Sequence, residues 1–177
     1  SIVDLDVFDN NKPLRGIKRD PYEGGIRVPM IVRYPEKVAA GASNDIVWYF
    51  ADLLPTICDI TSIERPENID GISVWPTLTG EKQDLGSRYL YWEFYELEGW
   101  RAVRFGDWKA VQHQMHIENH LPIELYNLKE DIGETNNVAD KYPDLVLKAE
   151  QLFEEAHIPS EHYKWNYLND ETTNYDL

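Results

Sequence analysis

The sequence predicts an α/β segment over residues 1–84 and a small α+β subdomain over 85–177, the latter an antiparallel sheet with one covering helix. Three observations predict it. A loop, a short apolar run and an apolar helix follow one another before residue 80, the succession found at the edge of an α/β sheet. After the polar stretch Gly80-Glu81-Lys82-Gln83-Asp84 the apolar period becomes two, as strands require. From Pro143 apolar residues recur at helical spacing.

Residues 1–13 are polar and acidic and read as a loop. Asp9-Asn10-Asn11 carries oxygens that suit a hard cation, but Asx residues before a proline are turn formers, and none is taken as a ligand. Ile26 to Val32 reads as a short buried strand, with Pro29 placing it near an edge or a bulge. Asp45 to Phe50 reads as extended. Asp52 then stands as the N-cap of a helix with Pro55 in its first turn and a buried stripe of Leu54, Ile57, Cys58 and Ile60. Glu64 to Asp70 is a loop, and Val74 to Leu78 a helical turn closed by Gly80.

Beyond the polar linker, Leu90, Trp92 and Phe94 alternate with Tyr91, Glu93 and Tyr95, a strand with one buried face. Residues 101–105 and 108–112 flank Gly106-Asp107, a two-residue turn suited to a tight hairpin. Ile123 to Leu128 supplies another strand, so a meander follows. Lys129 to Asn137 is loop. The helix opening at Pro143 carries Leu145, Ala149, Leu152, Phe153 and Ala156 toward one face of the sheet. The tail from Ser160 is polar and aromatic by turns.

Composition limits what such a chain can do. Its 177 residues are 42% hydrophobic with six Trp, which argues against disorder. A formal net charge of −15 argues against nucleic acid as a partner, since that binding rests on many Lys/Arg–phosphate contacts. No run of 18 apolar residues is present to span a membrane. The single cysteine, Cys58, rules out an internal disulfide and a cysteine-rich zinc site. It reads as a small core residue.

Against that acidic background, Lys12 to Arg33 holds six basic and two acidic side chains, a local charge of +4. Such an island points to a seat for a small anion more than to a broad polyanion face; the competing reading is a solvated loop. Within it, Gly24-Gly25 permits a close backbone approach. His113 and His116 follow the hairpin at a spacing that a helix would turn into a shared metal site, but nothing predicts a helix there.

The segment Leu14-Arg15-Gly16-Ile17-Lys18-Arg19-Asp20-Pro21-Tyr22-Glu23-Gly24-Gly25-Ile26-Arg27-Val28-Pro29 resembles the part of the sulfatase family in which a lysine-bearing loop leads into Y-E-G-G-x-R-x-P. The resemblance continues in order through Arg33-Tyr34-Pro35-Glu36-Lys37, Asp52-Leu53-Leu54-Pro55-Thr56, Asp70-Gly71-Ile72-Ser73, Gly106-Asp107-Trp108-Lys109, Glu124-Leu125-Tyr126-Asn127-Leu128 and Asp131-Ile132-Gly133-Glu134-Thr135-Asn136-Asn137. It runs from about Phe8 to about Leu152 and implies the carboxy-terminal portion of a formylglycine-dependent sulfatase. Residues 1–84 would then be the edge portion of the alkaline-phosphatase-like catalytic α/β core, and 85–177 the small C-terminal subdomain.

The resemblance implies sulfuric ester hydrolysis, on sulfated carbohydrate, with Ca2+ and a formylglycine nucleophile. It matches Lys18 to the lysine that reaches the sulfate, and a compact ammonium suits a sulfate oxygen. Arg15 and Arg19 are assigned to the local field or to ion pairs, and Arg27 to a pairing with a carboxylate, Glu23 being the candidate. Trp92, Glu93, Trp100, Arg104 and His113 are the candidates for a sugar subsite, although aromatic residues on short strands more often belong to a core.

No C-x-P-x-R or S-x-P-x-R occurs. By the resemblance, the formylglycine motif and the calcium ligands precede Ser1, no metal ligand is assigned within the chain, and the chain alone is expected to be inert. Its first partner would be the missing N-terminal part of the same protein, and the family implies a periplasmic or secreted location. Two alternatives remain: a non-catalytic carbohydrate-binding or packing module, and a phosphatase-like member of the same superfamily.

Overall fold

The computed structural model describes residues 11–117, 119–162 and 165. Asp9, Asn10 and most of the tail beyond Ser160 lie outside them. The chain divides into two compact units, residues 1–28 with 87–177, and Pro29–Gly86. Thus the lysine-bearing loop groups with the C-terminal sheet, whereas the division drawn from sequence at 84/85 sets it with residues 29–84.

The first unit is built on a four-stranded antiparallel meander in the order β1 (Tyr89–Phe94), β2 (Trp100–Phe105), β3 (Trp108–His113), β4 (Glu124–Asn127). The hairpin turns at Gly106-Asp107, with Phe105 opposite Trp108. Register then sorts the side chains. Trp92, Phe94, Trp100, Ala102, Arg104, Lys109, Val111, His113, Glu124 and Tyr126 share one face, because Trp92 pairs Ala102, Arg104 pairs Lys109 and Lys109 pairs Tyr126. Tyr91, Glu93, Arg101 and Val103 point the other way.

Two layers cover the sheet. Helix α4 (Pro143–Ala156) buries Ala149 and Phe153 against Val103, Phe105, Ala110 and Leu125. On the opposite face Tyr22 and Ile26, from the segment around the helical turn α1 (Glu23–Ile26), pack with Trp100, Ala102, Val111, Tyr126 and Leu128. Both faces are therefore buried, where alternation predicts one. A chain segment 60 or more residues away in sequence supplies the second cover, and local periodicity carries no sign of it.

The expected strand over Ile26–Val32 is absent. Glu23–Ile26 is a helical turn, and the following residues are irregular, with Val28 78% and Ile31 92% exposed. A strand needs a partner for its N–H and C=O groups; among the described residues none lies alongside, and Pro29 removes one donor.

In the Pro29–Gly86 unit a short 3-10 turn (Phe50–Asp52) leads into α2 (Leu53–Thr61), followed by α3 (Trp75–Leu78). Asp52 stands at the N-cap position of α2, but its side chain makes no capping bond to that helix. Its carboxylate instead accepts from the Tyr49 N–H at 3.0 Å and the Ile72 N–H at 2.9 Å. The buried face of α2 is Pro55, Thr56 and Cys58, while Leu54, Ile57 and Ile60 are exposed. The expected stripe is displaced because Thr56 Oγ1 donates to the Asp52 carbonyl and accepts from the Val74 N–H, turning that polar edge inward. Among the described residues no helix is long and apolar enough to cross a membrane.

Phe153 is fully buried beneath the sheet. Phe153→Ala should cost about 3–5 kcal/mol, read as a lowered denaturant midpoint at unchanged m-value.

Candidate functional site

The loop-facing side of the sheet carries a lysine in its core. Lys109 is fully buried, its Nζ 3.1 Å from Glu23 Oε1 and 2.9 Å from Glu134 Oε1. Glu134 Oε2 also accepts the backbone N–H of Glu23. Arg104 and Arg27 approach the other Glu23 oxygen at 3.6 and 3.7 Å. Two carboxylates around one ammonium, with two guanidiniums behind, satisfy charges that could not be buried singly. Burial holds the Glu134 carboxyl above the ordinary glutamate range despite Lys109.

The loop that brings Glu134 to this site is folded around Asp131, whose carboxylate accepts from the Thr135 N–H, the Asn136 N–H and the Thr135 hydroxyl. Glu134 itself has φ +50, so the backbone turns left-handed to send its side chain inward.

The Glu23 anchor fixes the segment before it. Gly24 and Gly25 lie against carbonyls: a Cβ on the first would collide with the Gly16 oxygen, on the second with that of Asp20. The Gly24 N–H donates to the Arg15 carbonyl at 2.7 Å, and Asn11 Nδ2 donates to the carbonyls of Gly16 and Gly24. Between these clamps, residues 17–20 form a turn. The Asp20 N–H reaches the Ile17 carbonyl at 2.9 Å, and Asp20 Oδ2 accepts the Ile17 N–H at 2.8 Å. Lys18 sits in that turn, exposed, with no hydrogen-bond or ion-pair partner among the described residues. Arg19 pairs with Glu96 at 3.4 Å.

A second cluster holds Tyr22. Its hydroxyl donates to Glu124 Oε2 at 2.8 Å and lies 3.0 Å from His113 Nε2, so the network puts the imidazole proton on Nε2. Tyr126 donates to the same Glu124 oxygen. The Arg15 guanidinium stacks 3.6 Å over the Tyr22 ring and donates to the Tyr126 hydroxyl and the Glu134 carbonyl. Burial raises the Tyr22 and Tyr126 hydroxyls far above their ordinary range and lowers the His113 imidazole, which is therefore neutral.

The sugar-subsite candidates do not form one group. Trp92, Trp100, Arg104 and His113 face the loop; Glu93 is on the helix side, accepting from Tyr91, Tyr95 and His157. Trp100 is 9% exposed and donates its indole N–H to the Arg19 carbonyl at 2.8 Å. Arg104 is committed to Glu23 and His113 to Tyr22. His116 is apart, with Nε2 on the Tyr95 carbonyl.

Sequence reasoning missed Lys109, Glu134, Tyr22 and Glu124. Lys109 was the readable one: it alternates onto the same face as Ala102 and Val111, and a lysine there demands carboxylates. A shallow groove within Pro29–Gly86 is lined by Tyr34, Lys37, Trp75 and the acids Glu36, Asp59 and Glu81, the wrong charge for a sulfate ester.

Residues 17–157 match the family described as N-sulphoglucosamine sulphohydrolase, C-terminal. A sulfatase of Formosa agariphila is 34% identical over 160 residues, covering 78% of this chain and 28% of that protein. An N-acetylglucosamine-6-O-sulfatase of Bacteroides thetaiotaomicron is 28% identical, covering 88% of this chain and 29% of its own length. Among solved structures, Ps i-CgsB in complex with k-i-k-neocarrahexaose superposes with a TM-score of 0.73 at 26% identity, covering 89% of this chain and 34% of that one. A protein in complex with its substrate D-glucosamine-2-N,6-O-disulfate gives 0.60 at 26% identity, covering 71% and 27%. The chain thus spans less than a third of the length of these curated relatives.

Lys109→Met leaves Glu23 and Glu134 buried without their shared cation and should cost about 3–5 kcal/mol in denaturant unfolding; adding Glu134→Gln should recover part of that. A loss below about 1 kcal/mol would show the network to be incidental. For His113 the sign is fixed by a lowered folded-state value. Stability from the neutral ring is complete above about 6.5 and declines as pH falls through the folded value. The denaturant midpoint should therefore drop from pH 7.5 to 5, less steeply in His113→Gln.

Proposed function

Because the chain belongs to the sulfatase family, in the portion described as N-sulphoglucosamine sulphohydrolase, C-terminal, we propose that the protein containing it hydrolyses a sulfuric ester on a carbohydrate, and that Lys18 is the contact this chain makes to the sulfate. One observation carries the reading: a cation without a partner among the described residues sits on a turn that is held from both sides. Structural cations in the same stretch are consumed, Arg15 by Tyr126 and Glu124, Arg27 by Glu23. Lys18 is spared.

The chemistry asks for such a group. Overall, a sulfuric ester and water give an alcohol, sulfate and a proton: a new S–O bond forms to the incoming oxygen, the bond from sulfur to the sugar oxygen breaks, and the departing oxygen takes a proton. Charge on the non-bridging oxygens and the departing oxygen is stabilised by donors fixed in place beforehand. An ammonium with three donors serves either position. Sulfated saccharide as the substrate class is supported by the relative named for N-acetylglucosamine-6-O-sulfate chemistry and by the neighbour bound to a glucosamine disulfate.

The calcium and formylglycine that the family implies are not fitted by these residues. Among the described residues no three His, Cys, Asp or Glu side chains gather as a metal site, and the sequence holds no C/S-x-P-x-R. Against a carbohydrate-binding module on this sheet face, Trp100 is enclosed and Arg104 is engaged by Glu23.

In the full-length protein, Lys18→Ala should lower kcat/KM on its sulfate ester by roughly 10²–10³-fold with little change in melting temperature. An unchanged rate would remove Lys18 from the site.

A further inference from the structure

We propose that Trp100 is a positioning residue for Lys18, acting through the hydrogen bond from its indole N–H to the Arg19 carbonyl. The inference rests on the reading of Lys18 as the sulfate contact and adds what aims it.

Lys18 is bracketed by fixed peptide groups. On its N-terminal side, the Ile17 N–H and carbonyl are both bonded to Asp20. On its C-terminal side, the Arg19 carbonyl accepts from Trp100 at 2.8 Å. Arg19 has φ +80, a conformation that residues with a Cβ adopt only when their surroundings hold them there. The Arg19–Glu96 pair is exposed at both ends and too weak to be the holder. Trp100 is the buried partner left.

Its own placement is rigid. Trp100 opens β2, is paired in register with Phe94 and His113, and stacks on Phe94 with ring centroids 5.5 Å apart. The same rung thus carries two supports for the loop, Trp100 to Arg19 and His113 to Tyr22. An indole is well suited to such a support, because its large apolar plate locks into the sheet and ends in a single donor that must find an acceptor. A group carried by a regular strand is set more accurately than one carried by the loop itself. With 9% of its surface exposed and its N–H spent, Trp100 has no face for a sugar.

The test is a double-mutant cycle in the full-length protein, on whichever chromogenic aryl sulfate or sulfated saccharide the wild type turns over fastest. Trp100→Phe keeps an aromatic ring against Phe94 while removing the donor and part of the indole plate, and the cycle separates the loss of the bond from the loss of packing. The substitution should lower kcat/KM roughly tenfold to hundredfold, chiefly in kcat. In a Lys18→Ala background the same substitution should cost less than about twofold, because its effect passes through the amine. Asp20→Ala, at the other end of the turn and outside the core, should follow the same pattern, and it carries the test should Trp100→Phe not fold.

Unaltered activity of Trp100→Phe beside an impaired Lys18→Ala overturns the proposal and leaves the Lys18 reading standing. A further full loss in the Lys18→Ala background also overturns it, since Trp100 would then act on the sugar or on the fold at large. An unimpaired Lys18→Ala removes Lys18 itself, and that single variant reports it separately.

Discussion

The ion triad of Glu23, Lys109 and Glu134 is the contact on which the first unit depends. A lysine in the middle of a sheet face is a liability until two carboxylates meet it, and they arrive from opposite directions in the chain. Glu23 is 86 residues before Lys109, and Glu134 reaches the Glu23 N–H across a separation of 111. Hydrophobic contacts bring the surfaces together, but they tolerate sliding. A buried ammonium between two anions does not, so the triad fixes where the loop lies on the sheet. Tyr22 and Ile26 then fall into the apolar cluster beside it.

What was legible in the sequence follows from how far apart the partners are. The hairpin at Gly106-Asp107, the meander and the helix from Pro143 each depend on neighbours within about 20 residues, and each stands where periodicity put it. Ile26–Val32 failed because a strand is defined by what it pairs with. The stripe of α2 failed because one hydroxyl, Thr56, decides which edge turns inward. The site shows the same split. Lys18 is proposed through a resemblance, whereas the groups that hold its loop are hidden in long-range pairings. Trp100 and His113, candidates for sugar contacts by residue type, are hydrogen-bonded to the loop, to the Arg19 carbonyl and the Tyr22 hydroxyl, which no local pattern reveals.

Charge is organised in the same economical way. In a chain of net charge −15, three of the six cations of the basic stretch are paired with carboxylates, Arg27 with Glu23, Arg19 with Glu96 and Arg15 with Glu124. Lys18 is not. An unpaired ammonium on an acidic body is a local positive spot rather than a broad basic face, which is the kind of charge pattern that suits a small anion better than a polyanion.

The first unit is discontinuous in sequence, its lysine-bearing loop made before the strands that seat it. During synthesis the ribosome delivers residues 11–28 long before β4 and Glu134 exist. The loop has no floor to rest on until β2, β3, β4 and the Glu134 loop have followed it out of the ribosome, and a chain cut between them carries the lysine without the surface that seats it.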